Sequence, residues 1–324
     1  MVLICIMDLE QTSRELVRAV RGHRSQPALS RRLGYRTNVL YAWESGHRSP
    51  LASEVLRLAA SVGVDVRGAF VRFYRTAPDW LLDADVVSPE FVSRFLRDLQ
   101  GEAAVALIAR RANRNRFSVA RWLSGEAQPR LAEFLSLVEA ASLRVVDLLA
   151  ALVDPAKLPS ITEVWTRREA GRSLAIECPW AVAVLRCLEV SSADGDTAAI
   201  ATRLRLPLEE VERSVAMLSK AGLVTLEAGR WRPVAVEAVD SRRSQETARR
   251  IKGFWGRVGL DRLEGGSDGA FAYNVMSVSE SQLHRLRELH DGYFNAVRAV
   301  VAAEEAPECV VLLNLQLLRL DDGA

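Results

Sequence analysis

The sequence contains few of the residues that bind metal ions or form the disulfide bonds of small secreted proteins. It has 4 Cys and 4 His in 324 residues, and no two cysteines form a C-x-x-C pair. The cysteines are Cys5, Cys178, Cys187 and Cys309. Their scatter favours reduced thiols in a cytosol, and Cys178 and Cys187, which flank an apolar helix, are expected to be buried. The histidines (His23, His47, His284 and His290) stand in no metal-binding spacing, so we expect no metal and no cofactor.

Long apolar runs and catalytic motifs are also missing. No segment is apolar over a length that would cross a bilayer, and residues 1–7 lack the features of a secretory leader. Met7 is an alternative start to Met1. The glycine-rich stretch 265–269 lacks the Lys-Ser/Thr of a phosphate loop, and no G-x-S-x-G occurs. These absences predict a cytoplasmic protein, nucleoid-associated when bound, that is neither an enzyme nor a membrane protein.

Lysine is absent from the first 150 residues, which hold 21 Arg against 16 Asp plus Glu, a net charge of +5. Residues 151–324 hold 22 basic against 25 acidic residues, a net charge of −3. A mildly basic front half suits phosphate contacts, although no basic tail for non-specific coating is present. Hydrophobic content of 49% with only 19 Gly and 11 Pro favours a mostly helical protein. Its length predicts two to four compact units.

Residues 26–50 predict two short helices joined by a tight turn. The first extends from Pro27 to Leu33 and the second from Thr37 to Ser45. Gly34 supplies the corner, because a residue without Cβ adopts positive φ cheaply, and Gly46 ends the second helix. The inward-facing residues of the second helix are Val39, Leu40 and Trp43.

The run LGYRTNVLYAWESG, followed by R-x-P, resembles the phage-repressor (Cro-like, XRE-type) helix-turn-helix family. The resemblance covers Leu16 to Val66 and implies a five-helix module whose second short helix enters the major groove of DNA. On this interpretation the base-reading residues are Arg36, Thr37, Asn38 and Tyr41. The phosphate-contacting residues are Gln26, His47 and Arg48.

The module is repeated: a shift of 79 positions without gaps superimposes the first copy on a second. Trp43 meets Trp122, Gly46 meets Gly125, and Pro50 meets Pro129. The second recognition helix is predicted from Arg116 to Leu123, with Asn115 as its cap. The residues expected to contact bases in this copy are Arg116 and Phe117, and those expected to contact phosphates are Arg114 and Arg121.

The two copies are unequal. Gln26 is replaced by Val105, and the corner Gly34 by Asn113, which still tolerates positive φ. The second copy is therefore either a DNA reader or a module kept for packing or dimer contacts.

The back half predicts a winged helix followed by an α+β domain. Three helices between Pro179 and Ala221 precede a hairpin around Ala228-Gly229. Acidic residues (Glu209, Glu210 and Glu212) open the would-be recognition helix, which favours a scaffold or dimerisation role for this module. Beyond it, a helix from Ser244 to Leu263, basic around Arg242 and Arg243, precedes two strands, 270–278 and 309–320. A helix reaching about Glu305 lies between the strands, as in a β-α-β crossover.

Residues 165–320 resemble a bacterial regulator family that joins helix-turn-helix and winged-helix parts to a C-terminal domain of unknown function. That resemblance rests on SQETARRIKGFW, NVMSVSESQLHRLRELHDGYF and VVLLNLQLLRL. It implies transcription regulation without specifying a ligand.

Together these patterns predict a mostly α protein of four domains. The domains are 1–75 (first module), 76–155 (second module), 156–236 (winged helix) and 237–324 (dimerisation or sensing). The expected function is sequence-specific binding of operator DNA by a homodimeric repressor, with a small molecule or a protein as a candidate effector of the C-terminal domain. The alternative is a protein-interaction scaffold with relic DNA modules. RNA binding is disfavoured, because the sequence lacks the aromatic stacking surface expected of proteins that read single strands.

Overall fold

The computed structural model describes residues 7–74, 77–190, 192–234, 245–301 and 306–321. Cys5, Arg242, Arg243 and the predicted helix start at Ser244 lie outside these ranges. The described residues form seventeen α-helices and one two-stranded sheet, which confirms the mostly α class. None of the helices in these ranges is both apolar enough and long enough to span a bilayer. The chain divides into two compact units, whose main parts are Ile6–Trp165 and Thr166–Phe294, and the four-domain division stays a prediction.

The first unit contains both copies of the repeat, and each copy has five helices. Those of the first copy are α1 (Leu9–Arg21), α2 (Gln26–Arg32), α3 (Val39–Ser45), α4 (Ala52–Ser61) and α5 (Val66–Phe73). The predicted connector contains a short helix, α6 (Asp79–Asp83). The second copy comprises α7 (Pro89–Gln100), α8 (Val105–Arg111), α9 (Arg116–Ser124), α10 (Leu131–Ser142) and α11 (Val145–Leu152). A 3-10 turn (Pro155–Lys157) follows.

Local signals place the ends of these helices. Gly46 and Gly125 end α3 and α9 in the left-handed conformation, with φ of 82° and 86°. At the corner between the short helices, Gly34 has φ of 88° and its counterpart Asn113 has φ of 49°, as the substitution predicted. Ser88 caps α7 by accepting a hydrogen bond from the Phe91 N–H at 3.1 Å.

Both copies share a single hydrophobic core. Buried side chains from α1 to α11 form one continuous cluster, in which Phe70 of the first copy packs edge-on against Phe91 and Phe95 of the second. The ring centroids of Phe70 and Phe95 are 4.8 Å apart. The repeat is therefore one rigid body rather than two modules on a tether.

The second unit opens within α12 (Pro159–Glu177) and has the element order predicted for a winged helix. Its elements are α13 (Pro179–Glu189), α14 (Thr197–Leu204), α15 (Leu208–Lys220), β1 (Val224–Glu227) and β2 (Arg230–Pro233). The strands pair antiparallel, with Glu227 opposite Arg230. The two turn residues, Ala228 and Gly229, have φ of 47° and 74°, as a tight two-residue hairpin turn requires.

The C-terminal part consists of α16 (Gln245–Glu264) and α17 (Glu280–Val301), and the strands predicted there are wrong. Segments 270–278 and 309–320 are described throughout, and neither forms a ladder with another strand. Alternation and apolarity mark a segment that can form a strand, but a strand needs a partner for its backbone groups. In the second segment, the amide nitrogen of Gln316 lies 3.6 Å from where a Cβ would stand at Gly256 of α16. This segment lies against a helix instead of a strand.

The burial predicted for Cys178 and Cys187 is confirmed. Cys178 and Cys187 are buried in the core of the second unit, and burial raises the pKa of the Cys187 thiol above its ordinary value. Cys309 is exposed.

Candidate nucleic-acid interface

Asn38 fixes the start of α3, the helix predicted to be the first recognition helix. The predicted helix began at Thr37, but α3 begins at Val39 because Asn38 is its N-cap. Its Oδ1 accepts hydrogen bonds from the Tyr41 N–H at 3.4 Å and from the buried Ser30 hydroxyl at 3.3 Å. Oδ1 is therefore occupied, which leaves the amide N–H donors of this exposed residue for other contacts.

The remaining residues predicted to read bases surround this cap. Arg36 and Thr37 are exposed immediately before Asn38, and Tyr41, which is 57% exposed, lies one turn along the helix. The Tyr41 ring stacks on His47, with centroids 6.2 Å apart and planes 21° apart. His47 is held there by a hydrogen bond of 2.5 Å between its Nδ1 and the Ser45 hydroxyl. Tyr41, a base-reading candidate, and His47, a phosphate-contacting candidate, therefore share one exposed surface.

A buried carboxylate ties this helix to the two helices before it. Glu44 of α3 is only 7% exposed and accepts two hydrogen bonds from Arg21 of α1, at 2.5 Å from Nε and 3.0 Å from Nη2. It also accepts one from the Gln26 amide of α2 at 2.7 Å. The hydrogen bond to Glu44 raises the pKa of the Arg21 guanidinium above its ordinary value. We call Arg21, Gln26 and Glu44 the Glu44 network.

The Glu44 network was not predicted from the sequence, although a signal for it exists. Under the shift of 79 positions, its three members become Gln100, Val105 and Leu123, so all three change together. Leu123 is buried, which means that the second copy fills the same place with an apolar side chain. The loss of Gln at Val105 therefore follows from the loss of its partner, Glu44. A phosphate contact by Gln26 stays a prediction.

The other side of α3 rests on Tyr35. Its ring packs edge-on against Trp43, with centroids 5.7 Å apart, and its hydroxyl donates a hydrogen bond to Glu54. Glu54 also accepts from the Leu51 N–H at 2.7 Å, which fixes the start of α4. Burial first, and then the bond to Glu54, raise the pKa of Tyr35 to about 12, so this phenol stays neutral at physiological pH.

The second copy presents a different surface. The predicted cap, Asn115, accepts a hydrogen bond from the Phe117 N–H at 2.8 Å and starts α9 at Arg116. The Arg116 guanidinium lies 5.1 Å from the centroid of the Phe117 ring, which is 68% exposed. Arg114 and Arg121 are exposed on either side, and Arg121 Nε is 3.9 Å from Glu126. The predicted residues of this copy therefore share one surface.

No group of three or more His, Cys, Asp or Glu side chains that would hold a metal ion occurs among the residues whose positions are described. The chemistry of the exposed surfaces on α3 and α9 is that of hydrogen-bond donors, cations and aromatic rings. Such groups suit base edges and phosphates.

Comparison with known proteins bears on the second half of the chain alone. Residues 169–320 match the family model described as a domain of unknown function (DUF4423). The match agrees with the expected C-terminal domain of unknown function and leaves residues 1–168 outside it. The chain matches no curated protein and no solved structure.

Proposed function

We propose that the protein is a sequence-specific, double-stranded DNA-binding transcription regulator that represses by occupying its operator. The observation that carries the proposal is the cap of α3. The Asn38 oxygen accepts hydrogen bonds from the protein, which leaves its amide donors available beside the exposed Arg36, Thr37 and Tyr41. The Glu44 network and Tyr35 hold this helix from both sides, so its side chains meet DNA already ordered.

The side chains divide into base readers and phosphate binders. Arg36 or Arg116 suits guanine, contributing about 1–3 kcal/mol of discrimination. Asn38, whose Oδ1 is occupied by the cap, offers amide N–H donors to base acceptors such as a purine N7. Thr37, Tyr41 and Phe117 supply hydroxyl and apolar contacts to neighbouring bases. Gln26, His47, Arg48, Arg114 and Arg121 are the phosphate candidates, which fix the register without reading sequence.

The winged-helix part fits a scaffold role better than a DNA contact. The first turn of α15 carries Glu209 and Glu210, and Glu210 pairs with Arg213 at 3.6 Å. Carboxylates at that position repel phosphates, so we assign DNA binding to the first unit and assembly to the second.

The function is tested by separating the two roles of Asn38. Sequencing the DNA that copurifies with the full-length protein gives the operator. Asn38→Ser keeps an N-cap oxygen but removes the amide, so operator affinity should fall by about 5- to 150-fold while affinity for random DNA hardly changes. Asn38→Ala removes the cap as well and should weaken binding to both DNAs further. Affinities are measured by titration at one fixed salt concentration.

Equal losses of Asn38→Ser on operator and random DNA would mean that Asn38 does not read bases. Copurified DNA without any common sequence would favour the alternative, a protein-interaction scaffold with relic DNA modules.

We also propose that a second copy of the chain covers the exposed C-terminal segments. Five large apolar side chains between Phe271 and Val278 and seven between Val311 and Leu320 are each 39–90% exposed. Fully burying one such side chain contributes about 1.5–3 kcal/mol, which at 25 cal/mol per Å² corresponds to about 60–120 Å² of apolar surface. At their mean exposed fraction of about 59%, the twelve side chains together expose on the order of 400–850 Å². A stable interface buries about 800 Å² per partner, so these segments nearly suffice for a homodimer that pairs them as strands.

The dimer is tested with the double variant Val311→Ser/Leu318→Ser. Both side chains are exposed, so the monomer should keep its fold while the dimer dissociates. Light scattering should then give a mass near 35.8 kDa, against twice that for the unmodified chain. Leu226→Ser, at an apolar position in β1 that is 58% exposed, serves as the control and should stay dimeric. A mass near 35.8 kDa for the unmodified chain would contradict the proposal.

A further inference from the structure

Residues of the two copies meet their own counterparts 79 positions away. Leu51 and Arg130 form an antiparallel bridge, and the Arg72 guanidinium donates a hydrogen bond to the Ala151 carbonyl at 3.1 Å. In a head-to-tail arrangement of repeats, equivalent surfaces do not touch. Contacts between equivalent residues occur on a two-fold axis, where a surface pairs with itself.

The backbone contacts beside that bridge are reciprocal. The Ala52 N–H donates to the Pro129 carbonyl at 3.1 Å, and the Leu131 N–H donates to the Pro50 carbonyl at 2.8 Å. Ala52 corresponds to Leu131 and Pro50 to Pro129, so the second bond is the first with the copies exchanged. Helix α5 likewise packs against its own counterpart, α11. One chain thus contains the self-complementary interface that usually requires two subunits.

We infer that a single chain reads an imperfect inverted repeat, one half with α3 and the other with α9. The inference rests on the proposed function and adds the form of the operator. Helices related by a two-fold axis meet half-sites that run in opposite directions. The halves differ in sequence because the side chains differ: Thr37 corresponds to Arg116, and Asn38 corresponds to Phe117.

The length of the chain between each recognition helix and the axis agrees with this assignment. Helix α3 ends at Ser45, five residues before Pro50, and α9 ends at Ser124, five residues before Pro129. Five residues span at most about 18 Å, so the ends of the two helices lie within about 40 Å of each other. Half-sites one turn of DNA apart are separated by about 34–36 Å.

The test is selection from random duplexes by the full-length protein and by two exposed-residue variants. The unmodified chain should enrich an inverted repeat with unequal halves at one fixed spacing. Asn38→Ser should relax base preference in one half only, and Arg116→Gln should relax it in the other half only. Inserting about 5 base pairs between the halves rotates them to opposite faces of the duplex and should lower affinity at least tenfold.

Three outcomes would overturn the inference. If Asn38→Ser relaxes both halves and Arg116→Gln neither, the repeat is read by the first copies of two chains. A direct repeat, or binding that tolerates the insertion, would mean that the two-fold interface does not set the operator. Absence of any enriched sequence would overturn the proposed function itself, which the first two outcomes leave standing.

Discussion

Arg21→Gln is expected to destabilise the first repeat copy by about 2–3 kcal/mol, because it removes the guanidinium that pairs most closely with the buried Glu44 carboxylate. Glu44 is 7% exposed and Arg21 19% exposed, so solvent screens this pair little. The Gln26 amide remains bonded to Glu44 but carries no charge, and the nearby cation Arg18 is half-exposed, with its Nε 3.9 Å from the carboxylate. Operator affinity should fall as well, since Glu44 lies on α3 and its network orients that helix.

The second copy supplies the matched rescue. The triple variant Arg21→Gln/Gln26→Val/Glu44→Leu installs the set that stands at 100, 105 and 123. Replacing a buried ionic group by apolar side chains of similar size is often neutral, so the triple variant should regain most of the lost stability.

Hydrogen exchange of the α1 and α3 amides in the full-length protein measures the local stability of both variants. This measurement does not require the chain to unfold in one step. A triple variant as unstable as Arg21→Gln would show that the two copies are not interchangeable solutions to the same packing problem.

The sequence predicts features that depend on neighbours within a few residues. Asn115 acts as a helix cap, Gly46 and Gly125 adopt the left-handed conformation, and Asn113 replaces Gly34 at positive φ. Each requires one side chain and the backbone within three positions, so the residue type nearly determines the result. The predicted start of α3 at Thr37 is two residues early, because the pattern treats Asn38 as helical although it is the N-cap.

Features that depend on distant partners could not be predicted in this way. The shift of 79 positions identifies equivalent residues but not whether Pro50 and Pro129 meet, because tandem and two-fold arrangements share the same repeat. The strand predicted over 309–320 is wrong for a similar reason, because apolarity describes the segment alone, whereas strand pairing depends on another chain segment. The Glu44 network joins residues 18 and 23 positions apart, and the sequence alone does not predict that these residues bond to one another.

Operator binding is expected to weaken by about 40- to 500-fold when monovalent salt rises from about 50 to 200 mM. Three of the phosphate candidates (Arg48, Arg114 and Arg121) are exposed arginines, and the base readers Arg36 and Arg116 displace counterions too. Each contact adds about −0.9 to the slope of log affinity against log salt, so three to five contacts give a slope between about −2.7 and −4.5. Titrations at four salt concentrations measure it.

Single substitutions measure how much each arginine contributes to this slope. Arg48→Gln, Arg114→Gln and Arg121→Gln should each make the slope shallower by about 0.9 and weaken operator and random DNA alike. Arg257→Gln, in α16 of the second unit, is the charge-matched control and should leave the slope unchanged. If the slope responds to the control and not to the three arginines, DNA lies on the second unit. A slope near zero would exclude phosphate binding altogether and leave the surfaces of α3 and α9 to a protein partner.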